Sequence, residues 1–217
     1  MKRYVLAIDG PAGSGKSTVS KLVAKKLDGF VYLDTGAMYR MITYKCLENN
    51  IQVEEIEKIK KILEETNFDI KEDKFFLDNK DVSFDIRTKE VTSNVSKYAA
   101  VKIIREKLVD IQRKISEGKK IVIDGRDIGT VVFPDAELKI FLVASPEERA
   151  NRRVKDYESK GIKADYNETL KEIIKRDKLD SEREESPLKK AEDAIELDTS
   201  KLTIDEVVEK ILSYMKI

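Results

Sequence analysis

Apolar residues along the chain fall into short runs separated by longer amphipathic stretches, the alternation expected when buried parallel strands are joined by helices. Tyr4–Ile8 reads as a buried strand, a Gly-rich turn follows, and a helix is predicted over Ser17–Leu27. Phe30–Leu33 is a second strand. It ends at Asp34-Thr35-Gly36, a strand-to-helix turn before a helix over Ala37–Glu48. Glu54–Glu65 then places Ile56, Ile59, Ile62 and Leu63 on one helical face. Phe68-Asp69-Ile70, Phe75-Phe76-Leu77 and Val82–Phe84 are different in character. They are short strand-like pieces broken by Lys, Asp and Asn, which predicts a small antiparallel excursion.

The helical pattern returns over Glu90–Ser116, divided into two helices, and Ile121-Val122-Ile123 and Leu138–Val143 are again short strands apolar on both faces. Pro146 opens a helix over Glu147–Asp156. Lys160-Gly161 and Asp165-Tyr166 mark a polar loop, and Asn167 is placed to cap a helix running to about Arg183. Ile195-Glu196-Leu197 is a last strand, and Thr203–Met215 a closing helix. The expected class is α/β: one parallel-sheet core carrying a β-rich insertion and a polar loop, without internal repeats.

Composition narrows the chemistry more than the fold. The 217 residues include no His, no Trp and one cysteine, Cys46. That excludes a Ser-His-Asp triad, a Cys-His pair, an imidazole metal site, an internal disulfide and a thiolate zinc cluster. The 42 Lys+Arg balance 42 Asp+Glu, which argues against a chain that coats nucleic acid or membrane by bulk charge. No apolar stretch approaches the ~20 residues of a membrane span. With no targeting segment and a lone cysteine, the expected compartment is the cytoplasm. Neutral charge and no apolar seam lean towards a monomer. Chemistry here must run on Lys, Arg, Asp, Glu and hydroxyls.

The strongest motif is Gly10-Pro11-Ala12-Gly13-Ser14-Gly15-Lys16-Ser17-Thr18, which has the P-loop spacing G-x-x-x-x-G-K-[ST] between a predicted strand and a predicted helix. Glycines let successive backbone N–H groups converge on phosphate oxygens, and the helix N-terminus adds partial positive charge. Lys16 is placed to bridge the β- and γ-phosphates and Ser17 to ligate Mg²⁺. GTPase machinery is not supported: Asn79-Lys80-Asp81-Val82 ends in Val82 where the guanine-reading motif needs Asp, and no D-x-x-G occurs. Asp34-Thr35-Gly36 has no second copy to supply an aspartic-protease dyad.

The remaining signals converge on arginine. Gly125-Arg126-Asp127 follows a strand and brings an Arg and an acid to its carboxyl end, where ligands sit in open α/β sheets. Arg149, Arg152 and Arg153 share one helix, and Arg176, Asp180 and Arg183 are spaced to lie on one face of another. Each pair alone reads equally well as a solvated salt bridge. Together with a P-loop they make a second anion site, because guanidinium forks match phosphate oxygens. Asp124 has the placement of a carboxylate holding Mg²⁺ through water, or of a turn residue. From these residues a kinase acting on CMP, UMP, AMP or a non-nucleotide alcohol stays open, as does an ATP-binding regulatory module.

The P-loop, Asp34–Arg40, Ile86-Arg87-Thr88 with Ser93–Ser96, Ile104-Arg105, Gly125–Pro134 and Arg176–Arg183 with Pro187-Leu188 resemble bacterial cytidylate kinases in order and spacing, over about residues 4–200. The resemblance implies an ATP-dependent, Mg²⁺-requiring kinase of pyrimidine nucleotide metabolism that phosphorylates CMP and dCMP by in-line transfer. It implies a P-loop core (1–66, 97–153 and 168–217), a monophosphate-binding insertion (67–96) and a lid (154–167). Thr35, Tyr39 and Arg40 would hold the acceptor phosphate and its surroundings, and Ser96, Arg105 and Asp127 would read cytosine. Arg126 would contact the acceptor phosphate, Arg176 and Asp180 the ribose, Arg183 the phosphates, and Arg153 would serve the ATP side of the lid. Lys16, Arg126 and Arg183 would be the catalytic set.

Overall fold

In the computed structural model, which describes residues 3–71, 74–159 and 161–215, the first apolar run forms strand β1 (Tyr4–Asp9) and leads into helix α1 (Lys16–Lys26). Strand β2 (Phe30–Asp34) and helices α2 (Thr35–Glu48) and α3 (Ile56–Glu65) follow. Next come the short strands β3 (Phe68–Lys71), β4 (Lys74–Leu77) and β5 (Lys80–Asp81), then helices α4 (Lys89–Ala99) and α5 (Lys102–Ser116). The chain continues through β6 (Lys120–Gly125), a π-helical turn at Ile128–Val132, and β7 (Leu138–Val143). Helices α6 (Pro146–Ser159) and α7 (Tyr166–Glu182), strand β8 (Ile195–Asp198) and helix α8 (Ile204–Tyr214) complete it. Two units result, Met1–Asp34 with Ile115–Ile217, and Thr35–Lys114.

The first unit is built on a parallel sheet in the order β2-β6-β1-β7-β8. β1 is central, and Val5, Leu6, Ala7 and Ile8 are wholly inaccessible, as a parallel strand covered on both faces requires. On one face Leu6, Ile8, Val122, Ile140 and Leu142 pack with Val19 and Val23 of α1 and Val207, Val208 and Ile211 of α8. Because the strands are parallel, Asp9, Asp34 and Asp124-Gly125 reach the same edge. In register Asp9 lies beside Gly125 and Asp34 beside Asp124. That edge carries the chemistry.

The second unit carries the antiparallel sheet β3-β4-β5, whose Phe75 and Leu77 pack on Ala37 and Met41 of α2 together with Val82 and Ile86. Its third strand lies at Lys80–Asp81, not at Val82–Phe84. Asp78 and Asn79 adopt left-handed φ values of 51° and 68°, forming a two-residue turn that pairs Leu77 with Lys80 directly. The Asp81 carboxylate then accepts the Ser83 N–H, and the chain turns into a 3₁₀ helix at Asp85–Arg87.

Other expectations shift by local capping. α7 is capped by Asp165, whose carboxylate accepts the Glu168 N–H, so Asn167 lies inside the helix. α6 runs to Ser159, leaving a loop shorter than expected; Lys160 lies outside the described residues. α2 begins at Thr35 with no intervening turn. Among the described residues no helix is long and apolar enough to cross a membrane.

Candidate functional site

The loop between β1 and α1 owes its path to glycine. Gly10 has φ 151°, and a Cβ there would stand 2.2 Å from the Leu142 carbonyl oxygen, so β7 passes too close for any side chain. Gly13 and Gly15 take φ values of 78° and 90°. Gly15 caps α1 without a side-chain hydrogen bond, and no acid occupies the first turn. A helix start of this kind suits an anion. Lys16 is buried and donates to the Pro11 carbonyl at 2.7 Å and the Ser14 hydroxyl at 3.3 Å. Burial, then the charges of Arg126 and Arg176, hold its ammonium well below the usual lysine range, against the opposing pull of Asp124 and Asp9.

Ser17 donates to Asp124 Oδ2 at 3.0 Å, and Tyr32 donates to Oδ1 at 2.6 Å. Burial, with Asp34 beside it, pushes the Asp124 carboxyl up to about 7. A hydroxyl and two neighbouring carboxylates at one sheet edge are hard oxygen donors, the set that fits Mg²⁺. The structure thus brings Ser17 and Asp124 together.

The segment after β6 presents the second charged group. Arg126 Nε donates to Asp180 Oδ2 at 2.9 Å, and Arg176 Nε stands 3.9 Å from the same oxygen. Arg183 Nη2 lies 3.8 Å from Asp127 Oδ1, and its Nε donates to the Ser186 carbonyl. Arg126 and Arg176 therefore share the Asp180 carboxylate, while Arg183 stands beside Asp127, and Asp127, Asp180 and Arg183 are buried. The α7 helix ends at Glu182, close to the expected end, and Arg183 is its C-terminal cap with extended backbone.

The three arginines of α6 separate into different roles. Arg149 is buried and donates to the carbonyls of Ala12 and Ala144, each at 3.0 Å, and bidentately to Asp177 at 3.1 and 2.6 Å. It braces the P-loop from behind. Arg152 pairs with Glu148 and donates to Thr199, with its guanidinium alongside Gly15. Arg153 is half-buried on the same helix.

In the Thr35–Lys114 unit, Thr35, Tyr39, Ser96 and Arg105 are all buried. The Arg105 guanidinium lies 5.1 Å from the centre of the Tyr39 ring and donates to the Ala99 carbonyl. Arg40 donates to the Thr92 hydroxyl at 2.7 Å and the Ile86 carbonyl. The Ser96 hydroxyl is buried without a hydrogen-bond partner among the described residues. A buried hydroxyl left so carries a desolvation cost that a ligand would relieve.

Sequence reasoning missed Asp9, whose carboxylate accepts the N–H groups of Ile128 and Gly129 at 2.9 and 2.8 Å. It missed Tyr32 as well. The available signal for Asp9 was an acid closing a wholly apolar strand.

Comparison with known proteins follows the same lines. A family model described as cytidylate kinase matches residues 6–217. A cytidylate kinase from Fusobacterium nucleatum subsp. nucleatum is 56% identical over 208 residues, covering 96% of this chain and 95% of its own length. One from Clostridioides difficile (strain 630) is 50% identical over 213 residues, covering 98% of each. Among solved structures, a gluconokinase from Sinorhizobium meliloti 1021 superposes with a TM-score of 0.51 at 13% identity, over 97% of this chain and 90% of its own, a likeness of fold alone.

Proposed function

The chain belongs to the cytidylate kinase family, and we propose that it transfers a phosphoryl group from ATP to CMP and dCMP with Lys16, Arg126 and Arg183 as the catalytic cations. The observation that carries this assignment of residues is the adjacency of β1 and β6. One ends in the P-loop, and the other ends in the Arg126-Asp127 segment.

Gly10–Thr18 binds the ATP phosphates through loop N–H groups and the α1 N-terminus, with Arg153 on the ATP side. Polyphosphate adds negative charge beside the buried Lys16, so the ammonium exchanges the Pro11 carbonyl for phosphate oxygens. Ser17 and, through water, Asp124 would hold Mg²⁺, which would supply neutralisation of the ATP phosphate charge. Arg126 and Arg183 turn from their carboxylate partners to the acceptor phosphate and its developing charge. A monophosphate dianion is already a nucleophile, so positioning and electrostatics carry the reaction.

Thr35, Tyr39 and Arg40 hold the acceptor phosphate and its surroundings. Ser96, Arg105 and Asp127 read cytosine, and Arg176 and Asp180 meet the ribose. The unpartnered Ser96 hydroxyl supports its part in this set. Residues 67–96 serve as the monophosphate-binding segment and 154–167 as the lid, with the remainder as core. The enzyme acts as a cytoplasmic monomer on free nucleotides and takes no nucleic acid.

Steady-state kinetics of Arg126→Ala and Asp127→Ala test the assignment. Arg126→Ala raises the KM for CMP far more than that for ATP, and Asp127→Ala weakens discrimination between CMP and UMP. Unchanged CMP kinetics and selectivity in both would refute it.

A further inference from the structure

Asp9 sits at the junction of the two charged groups. Its main chain continues directly into Gly10, the first glycine of the phosphate loop, while its buried carboxylate accepts the N–H groups of Ile128 and Gly129. Those amides open the π-helical turn immediately after Arg126-Asp127. The turn is gripped from the other side too. A Cβ on Gly129 would stand 3.1 Å from Lys139 Cδ and 3.4 Å from Asp9 Oδ2. The Lys139 ammonium in turn donates to the Pro134 carbonyl at the far end of the same segment.

We propose that Asp9 is a positioning residue for the acceptor, fixing the Arg126-Asp127 segment against the root of the phosphate loop and thereby setting affinity and selectivity for CMP. The proposal rests on the reading of Arg126 and Asp127 as acceptor contacts.

Stability does not account for an acid at this position. Burial raises the Asp9 carboxyl to about 6, with Asp127 adding to the rise; the Ile128 and Gly129 amides and Lys16 oppose it. A carboxyl whose pKa is higher folded than unfolded opposes folding once ionised. What the ionised form supplies is two acceptor oxygens for two adjacent amides, which no neutral side chain of the same shape provides.

The test compares Asp9→Asn, Gly129→Ala, Arg126→Ala and Asp127→Ala by steady-state kinetics with CMP, UMP and ATP. In Asp9→Asn one amide keeps an oxygen and the other faces an NH₂ group. Gly129→Ala crowds the same turn against the Lys139 stem while keeping the carboxylate, and it is read by the same criteria if Asp9→Asn fails to fold. Losing one charge-assisted hydrogen bond that aligns the segment raises the KM for CMP roughly tenfold or more and narrows CMP/UMP selectivity, while the KM for ATP moves less than about twofold. A lowered melting temperature with unchanged CMP kinetics makes Asp9 a stability residue and overturns the proposal. An equal rise in both KM values overturns it as well, assigning Asp9 to the phosphate loop. If Asp127→Ala and Arg126→Ala leave CMP kinetics intact, the underlying acceptor reading falls. If they impair CMP use and both Asp9→Asn and Gly129→Ala do not, the positioning role alone falls.

Discussion

Arg149 offers a direct measure of how the phosphate loop is held. Its side chain is 3% exposed, and the guanidinium joins three segments: Ala144 at the exit of β7, Ala12 in the P-loop, and Asp177 on α7. Arg149→Met keeps much of the stem's packing and removes every one of these bonds. Breaking a buried ion pair from one side costs about 3–5 kcal/mol. Asp177 is 22% exposed and recovers some hydration, so the lower end, about 3 kcal/mol, is expected. For a chain of this size that lowers the melting temperature by roughly 6–12 °C. Arg149→Lys recovers only part, since one ammonium cannot reproduce the planar fork. The assay is thermal unfolding without nucleotide, together with the double variant Arg149→Met/Asp177→Leu. Removing both charges should cost less than the sum of the two single changes. A shift below about 2 °C for Arg149→Met, or additivity in the double variant, would refute the bracing role.

Two further outcomes follow from the buried charges. Lys16→Met lowers turnover by roughly 10²–10³-fold, the scale of losing one preorganised donor. Its folded pKa lies below the unfolded one, so the charged lysine opposes folding at neutral pH and Lys16→Met leaves the melting temperature unchanged or higher. A marked loss of stability in nucleotide-free protein contradicts this. The Asp9 carboxyl, raised to about 6, contributes stability fully below about pH 4 and loses it as pH rises through about 6. Melting curves at constant ionic strength should therefore show a steeper decline from pH 5 to 8 in the wild type than in Asp9→Asn, and identical slopes would refute the assigned cause.

Much of this was legible in the sequence, for identifiable reasons. A P-loop demands glycine where the backbone must turn through unusual φ or pass close to a neighbour, and Gly10 against Leu142 is such a place. Strands covered on both faces must be apolar throughout, which exposed β1, β6 and β7 as short runs. The π-helical turn at Ile128–Val132 was invisible because it has no side-chain period of its own. Its first two amides are held by Asp9, 119 residues before Ile128 in the chain. Arg149, Arg152 and Arg153 were alike as letters. Only the fold shows that Arg149 is consumed by two carbonyls and a carboxylate. The left-handed φ of 50° at Ser186, just beyond α7, was announced by no local pattern. Periodicity locates elements; long-range polar partners decide what individual charges do.

The most direct test of the account is ADP release by the purified enzyme with Mg²⁺-ATP and each of CMP, dCMP, UMP, AMP and GMP as acceptor. Rapid release is expected with CMP and dCMP, markedly slower release with the others, and little release without acceptor. Release independent of any monophosphate, or an equal response to purine and cytosine nucleotides, would contradict it.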